Sequence, residues 1–346
     1  MNVPTLDPFG ARADPRLPFV ARALAAEEVQ GLLRAHLAGP AWGLGRLAVL
    51  AIRVVRHKPG RRCLIEYDVE VPGAAQPPEP VTLVAKVRSR GADTGTFQLL
   101  ELLRQRGFGP DSPDGISVPE PVAAIPELGM WLQRKVGGAT VTALLARPGG
   151  VALARQLAAA AHKLHGARVP TARRHTLVDE LRILRGRLTA VAQARPEWGA
   201  RLERLLQACD GLGDTIPRGR SCGIHRDFYA DHAVVNGRRL YLLDFDLYCK
   251  GDPALDIGNC LGHITEQSLR VCGDPDALAD REAALTEAFA ELAGEETRAA
   301  VRGYALLTLV RHISLSTQFP ERRPFTEALL DLCEARLGVG RHASVE

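Results

Sequence analysis

The chain has no apolar run near the 18 or more residues that a membrane-spanning helix needs. It also lacks an apolar signal-peptide core, since Met1 to Pro15 is rich in Pro and Asp. Net charge is scarce, at +4 over 346 residues, and the arginines are interspersed with acids, so no nucleic-acid surface is expected. No Cys-x-x-Cys pair is present to suggest zinc. The seven cysteines (Cys63, Cys209, Cys222, Cys249, Cys260, Cys272 and Cys333) are odd in number and irregular in spacing, which excludes a tidy disulfide framework and predicts reduced, mostly buried thiols. These absences predict a cytoplasmic protein, monomer or homodimer, with neither membrane nor nucleic acid as partner. What is present is ordinary globular composition, 46% hydrophobic and 24% charged, in a chain long enough for two lobes.

The periodicity divides the chain. Residues 1–17 read as a loose leader, and Phe19 to Leu37 as helical. Leu47 to His57 and Cys63 to Val71 are β-rich runs around a turn signal, Lys58-Pro59-Gly60-Arg61, and so predict a hairpin. Pro72 to Pro80 reads as a surface loop, Val81 to Val87 as a third strand, Thr94 to Arg106 as a helix and Met130 to Val136 as a further strand. From Thr140 the pattern is mainly helical. One β-containing island interrupts it, with a hairpin turn at Asn236-Gly237, and helices resume from Asp256. The expected fold is α+β and bilobal. A small β-rich lobe, 1–136, would be followed by a hinge near Val136-Gly137-Gly138 and a large helical lobe, 137–346.

The chemistry concentrates in His225-Arg226-Asp227 and Leu243-Asp244-Phe245-Asp246. Phosphoryl transfer needs two carboxylates, one to take the proton of an attacking hydroxyl and one to hold the magnesium that neutralises the phosphates. Asp227, preceded by His225 and Arg226, is the candidate base. Asp244, at the end of the apolar run Leu240 to Leu243, is the candidate metal ligand, with Asp246 as a second ligand or water holder. Lys86 places one cation inside an apolar strand, where nucleotide phosphates and a helix carboxylate would pair it. Glu101, fifteen residues on, is the candidate carboxylate; Gln98, one turn earlier, carries no charge. Asp252-Pro253 reads as a helix cap, and Asp256 as a buried carboxylate that must find donors in the backbone of the Asp227 loop or in His225 or Arg226. His232 stays open. It could ligate a second metal, for which an imidazole favours manganese or zinc over magnesium, touch a phosphate in a one-metal site, or simply pack.

These runs resemble the aminoglycoside phosphotransferase and choline kinase group, which shares the protein-kinase-like fold. Its signatures His-Gly-Asp-Leu-x-x-x-Asn, Ile-Asp-Phe/Trp and Gly-Asp-Pro-x-x-Asp correspond here to His225 through His232, to Leu243-Asp244-Phe245 and to Gly251 through Asp256. The likeness spans about Leu47 to Leu337 and is sharp between residues 223 and 260. It departs at His232, where the group has Asn and its maltokinase-like members Gln. A protein kinase is excluded. There is no Gly-x-Gly-x-x-Gly loop or Ala-Pro-Glu, and only seven residues separate Asp244 from Asp252.

The resemblance implies ATP or GTP, Mg2+ or Mn2+, and a small-molecule hydroxyl acceptor such as an aminoglycoside-like antibiotic, a sugar or an amino alcohol. It implies adenine at the hinge backbone near Arg134 and Val136, and phosphates under the Lys58 to Arg62 hairpin. The acids between Thr265 and Thr297 would either line a site for a cationic acceptor or form a solvated helix face. A non-catalytic nucleotide-binding regulator is the competing class, favoured by His232 and opposed by the intact Lys86, Asp227 and Asp244.

Overall fold

The computed structural model describes residues 3–71 and 80–339. The loop expected at Pro72 to Pro80 lies, apart from Pro80, outside the described residues. The chain forms two compact units, Met1–Gly138 with Asn236–Leu243, and Ala139–Val235 with Asp244–Glu346. The first is built on a sheet and the second is mainly helical, an α+β protein. Among the described residues no helix is long and apolar enough to cross a membrane. All seven cysteines are free, and most are buried.

In the first unit, β1 (Thr5–Leu6) precedes two short helices, α1 (Val20–Ala23) and α2 (Ala26–His36). β2 (Ala48–Lys58) and β3 (Arg62–Glu70) make the antiparallel hairpin, with Gly60 of its turn at φ +66°. Then come β4 (Val81–Arg88), α3 (Thr94–Leu103), β5 (Ile116–Ser117), β6 (Pro121–Ile125) and β7 (Met130–Arg134). The main sheet runs in the order β1-β2-β3-β4-β7-β6. Period-2 alternation gives it two unlike faces. Cys63, Ile65 and Tyr67 of β3, Leu83, Ala85 and Val87 of β4, and Met130 and Leu132 of β7 are fully buried in one core with Val20, Leu24, Val29 and Leu33 of α1, α2 and the segment between them. The alternate residues, Glu66, Asp68, Thr82, Lys86 and Trp131, belong to the other face.

The expected loose leader is instead tied to this sheet. Thr5 and Leu6 pair in parallel with Ile52 and Arg53 of β2, and Ala11 and Leu17 are buried. Asp14 accepts the amide of Gly60 at 2.6 Å and stands 2.9 Å from Nε2 of His57, fixing the hairpin turn. A polar, Pro-rich run hides such order, because an edge strand can satisfy its backbone with little help from side chains.

The second unit holds α4 (Val141–Leu145), α5 (Gly150–Gly166), α6 (Leu177–Ala194), α7 (Gly199–Thr215), α8 (Pro253–Cys272), α9 (Ala279–Ala293), α10 (Thr297–Gln318) and α11 (Thr326–Leu337). Its short strands Cys222–Ile224 and Cys249–Gly251 pair antiparallel. α8 packs against α10 through Gly258 and Gly262, one turn apart. A Cβ on Gly258 would lie 2.4 Å from Tyr304 Cβ and 2.7 Å from the Ala305 amide, and one on Gly262 would lie 2.6 Å from Thr308 Cγ2. Backbone on the far side cannot yield, so Gly258→Ala is expected to destabilise by about 1–3 kcal/mol. Urea unfolding measures this, and an unchanged midpoint would show that the two helices can spread.

Candidate active site

α8 organises the loop of residues 225–229. Asp252 caps it, accepting the Ala254 amide at 3.0 Å, and burial pushes the Asp252 carboxyl up from its ordinary pKa. One turn on, Asp256 has no solvent exposure. Its Oδ2 accepts the His225 amide at 2.9 Å and Oδ1 accepts the Arg226 amide at 2.7 Å. Nε2 of His165, from α5, donates to the same carboxylate at 2.9 Å. Asn259, the next residue on this face, donates Nδ2 to the Phe228 carbonyl at 2.9 Å and accepts Arg311 at Oδ1. His263 follows, its ring stacked on Tyr229 with centroids 4.1 Å apart. Residues 256, 259 and 263 share one helix face, so α8 holds His225, Arg226, Phe228 and Tyr229.

The backbone is strained where the carboxylates stand. Among the described residues only Arg168, Arg226 and Asp244 are non-glycines at positive φ. Arg226, at φ +69°, directly precedes Asp227, and Asp244 lies at φ 58°, ψ 62°. Such conformations persist only when the surroundings over-determine them, as the Asp256 bond to the Arg226 amide does here.

His232 joins the two loops. Its Nδ1 lies 2.8 Å from the Asp227 carbonyl oxygen, which can only accept, so Nδ1 carries the proton. In the neutral ring the lone pair is then on Nε2, which faces Asp244 Oδ2 at 3.7 Å. The Asp227 carboxylate is 3.7 Å from Nδ1. Asp227, Asp244 and His232 are thus brought together. His225 is not in the open part of this group. Its ring is fully buried beside Phe228 and Phe245, with centroids 6.0 and 4.8 Å away. Asp246 sits in the turn Phe245–Leu247, its carbonyl accepting Arg173 at 2.7 Å. Among the described residues no three His, Cys, Asp or Glu side chains form a metal cluster.

The remaining expected residues are in the first unit. Lys86 is 9% exposed, in mid-strand, with its ammonium 5.9 Å from the Trp131 ring centre. Glu101 does not stand behind it. It is exposed and forms no ion pair among the described residues. The buried face of α3 carries Thr96, Leu99, Leu100 and Leu103, and helical spacing turns Glu101 away from it. Among the described residues, Glu66 is a carboxylate buried on the Lys86 face, held by Lys135 at 2.7 Å and Arg53 at 3.3 Å. After β7 the Arg134 amide is taken by the Glu120 carbonyl and the Lys135 amide by Thr82, while the Val136 backbone makes no hydrogen bond among the described residues.

The acids between Thr265 and Thr297 are largely committed. Glu266 is buried against Arg270 at 2.9 Å, Glu282 accepts Thr265 at 2.7 Å, Asp276 meets Arg336 at 3.0 Å and Asp280 meets Arg281 at 2.5 Å. Among the described residues Asp274, Glu291 and Glu296 remain without an ion pair. Asn259, His165, His263 and Arg311 were missed in the sequence reading. The polar spacing 256, 259 and 263 in an otherwise apolar helix was the signal for two of them.

Residues 82–304 match the model of the phosphotransferase enzyme family. No curated protein sequence matches the chain. Among solved structures, it is similar to a choline/ethanolamine kinase family protein from Mesorhizobium loti, at 16% identity and TM-score 0.53, over 90% of this chain and 95% of that one. It is similar to a thermostable mutant of the aminoglycoside phosphotransferase APH(4)-Ia, at 15% and 0.58, over 86% and 97%. It is also similar to the amicoumacin kinase hAmiN, solved with AMP-PNP, Ca2+ and Ami, at 15% and 0.54, over 82% and 88%. These likenesses establish a kinase-like fold.

Asp256→Ala would orphan two buried amides and a histidine, each worth about 1–3 kcal/mol. A loss of roughly 3 kcal/mol or more in chemical unfolding is expected, with a smaller loss for Asp256→Asn, which keeps one acceptor oxygen. Equal stability of the Ala variant and wild type would contradict the loop-holding role.

Proposed function

The chain belongs to the phosphotransferase enzyme family, and we propose that it moves the γ-phosphate of ATP or GTP onto a hydroxyl of a small molecule. The observation that carries this reading is the single imidazole, His232, set between the carbonyl of Asp227 and the carboxylate of Asp244. It brings a candidate base and a candidate metal ligand to one point.

In this reading Asp227 takes or orients the proton of the attacking hydroxyl. The Asp244 carboxylate and the bare Nε2 of His232 fit a divalent ion that draws its other ligands from phosphate oxygens and water, with Asp246 as a further oxygen nearby. Such an ion, when bound, neutralises charge on the phosphates. Lys86 meets the α- and β-phosphates, and the backbone of Val136, beside Arg134, reads the base. Arg226 acts through its backbone in shaping the loop, and Glu101 has no part. That amicoumacin kinase was solved with AMP-PNP and Ca2+ supports a nucleotide with a divalent ion. A setting in the cytoplasm, where nucleotide is abundant and thiols stay reduced, fits the free cysteines.

Asp227→Ala is expected to lower turnover by about 10²–10⁴-fold with little loss of nucleotide affinity. ADP release over a panel of sugars, amino alcohols and aminoglycosides, beside AMP-PNP titration, measures both. Unaltered turnover would remove Asp227 as the base. Nucleotide binding by wild type without turnover on any acceptor would favour the non-catalytic regulator.

His232 gives a second test. A nitrogen ligand favours softer ions, so the manganese-to-magnesium activity ratio should be higher in wild type than in His232→Asn, whose amide oxygen is the harder ligand. Magnesium-dependent turnover should persist or rise in the variant. Identical metal profiles would take His232 out of the metal site.

A further inference from the structure

A cleft of about 500 Å³ lies between α6 and α10; much of its lining is apolar, Ile183 and Val191 among it, and its polar lining is Arg182, Arg187 and Arg195 of α6 and its end with Ser314, Thr317 and Gln318 of α10. Two of these arginines are occupied. Arg182 pairs with Asp179, and Arg195 pairs with Glu197 and lies over the Trp198 ring. Arg187 is half-buried and forms no hydrogen bond or ion pair among the described residues. A guanidinium taken partly out of water without an acceptor is costly, and it cannot shed its charge as a lysine can.

Ser314 of the cleft is one turn of α10 from Arg311, and Arg311 is tied through Asn259 to the Asp227 loop. Glu180 lies on the same face of α6, two turns from Arg187 and so about 10 Å along the axis. Its carboxylate is 3.6 Å from Arg311, which bonds Asn259, which holds the Phe228 carbonyl next to Asp227. Burial lowers the pKa of Arg187; the charge of Arg311 acts in the same sense and that of Glu180 opposes it. The surroundings are cationic. Burial, then Arg311, Arg322, Arg270 and Arg187, push His312 well below the ordinary histidine range. Against these four guanidinium groups stand Glu180, Glu266 and Asp227 itself, and Glu266 already serves both Arg270 and Arg322.

We propose that Arg187 is a specificity residue for an acceptor that carries an anionic group, a carboxylate or phosphate, alongside the hydroxyl presented to Asp227. This rests on the phosphotransferase reading and narrows its acceptor class. The guanidinium fork matches either anion with paired hydrogen bonds. A polyamine such as an aminoglycoside would meet the like charge of Arg187.

The test uses the full chain and matched acceptors: glycerol, glycerate, glycerol 3-phosphate and ethanolamine, each with ATP and magnesium. Wild type should prefer an anionic acceptor, glycerate marking a carboxylate site and glycerol 3-phosphate a phosphate site. Arg187→Ala should raise the KM of that acceptor at least tenfold, Arg187→Lys should recover part of it, and the KM for ATP should not follow. A rise in the KM for ATP instead would assign Arg187 to the nucleotide phosphates and overturn the proposal. So would fastest turnover of ethanolamine.

Binding is read separately by titrating inorganic phosphate and glycerate into protein saturated with AMP-PNP and magnesium. Affinity at least tenfold weaker in Arg187→Ala supports the anion site even if no acceptor is turned over, a result that would count against the kinase reading alone. Equal affinity in both proteins overturns the proposal while leaving that reading intact. Without ligand, Arg187→Ala should melt no lower than wild type, because it removes an unpaired, half-buried charge.

Discussion

A carboxylate with no solvent exposure cannot survive without donors, and Asp256 has three: the amides of His225 and Arg226 and the imidazole of His165. Most of the candidate site depends on that arrangement. It fixes the chain direction just before Asp227 and holds Arg226 in a conformation that non-glycine residues avoid. It also sets the register in which Asn259 and His263 meet Phe228 and Tyr229. Because Asp256 is anchored in the first turn of α8, and α8 lies against α10 with glycine at the closest approach, the loop inherits the rigidity of a helix pair. Residues that handle phosphates must be held to fractions of an ångström, and a site braced by helices is held better than one braced by other loops.

The first unit solves a different problem by alternation alone. Every second residue of its central strands enters an apolar core, so the intervening residues are free to be polar without loss of packing. Lys86, Glu66 and Asp68 use that freedom, as does Arg53, which grips Asp68 at 2.5 and 2.8 Å. The sheet thereby carries charge on one face at little cost to its stability.

Several features were legible because they are local. A hairpin about Lys58 to Arg61, a strand through Lys86, and a cap at Asp252-Pro253 each follow from a few adjacent residues. Asp244 and Asp227 could be singled out because motif chemistry needs carboxylates at short spacings. Other features escaped because they depend on distance in space. The leader gives no sign of strand pairing, since its partner β2 lies more than forty residues away. Glu101 had the right charge and the wrong helical phase. Nothing in the order of residues places His165 or Arg311 beside the loop, and the Arg187 cleft exists only once α6 and α10 are side by side. His232 looked anomalous by spacing, yet the tautomer set by the Asp227 carbonyl could be read only from geometry.

The central claim is that this loop pair forms a metal-dependent nucleotide site, with Asp244 presenting the carboxylate. The most direct measurement is the affinity of AMP-PNP with and without magnesium, in wild type and in Asp244→Ala. The account predicts that magnesium tightens binding to wild type and fails to do so in the variant, while metal-free affinity is the same in both. Equal affinity with and without magnesium or manganese in the wild-type protein would contradict it.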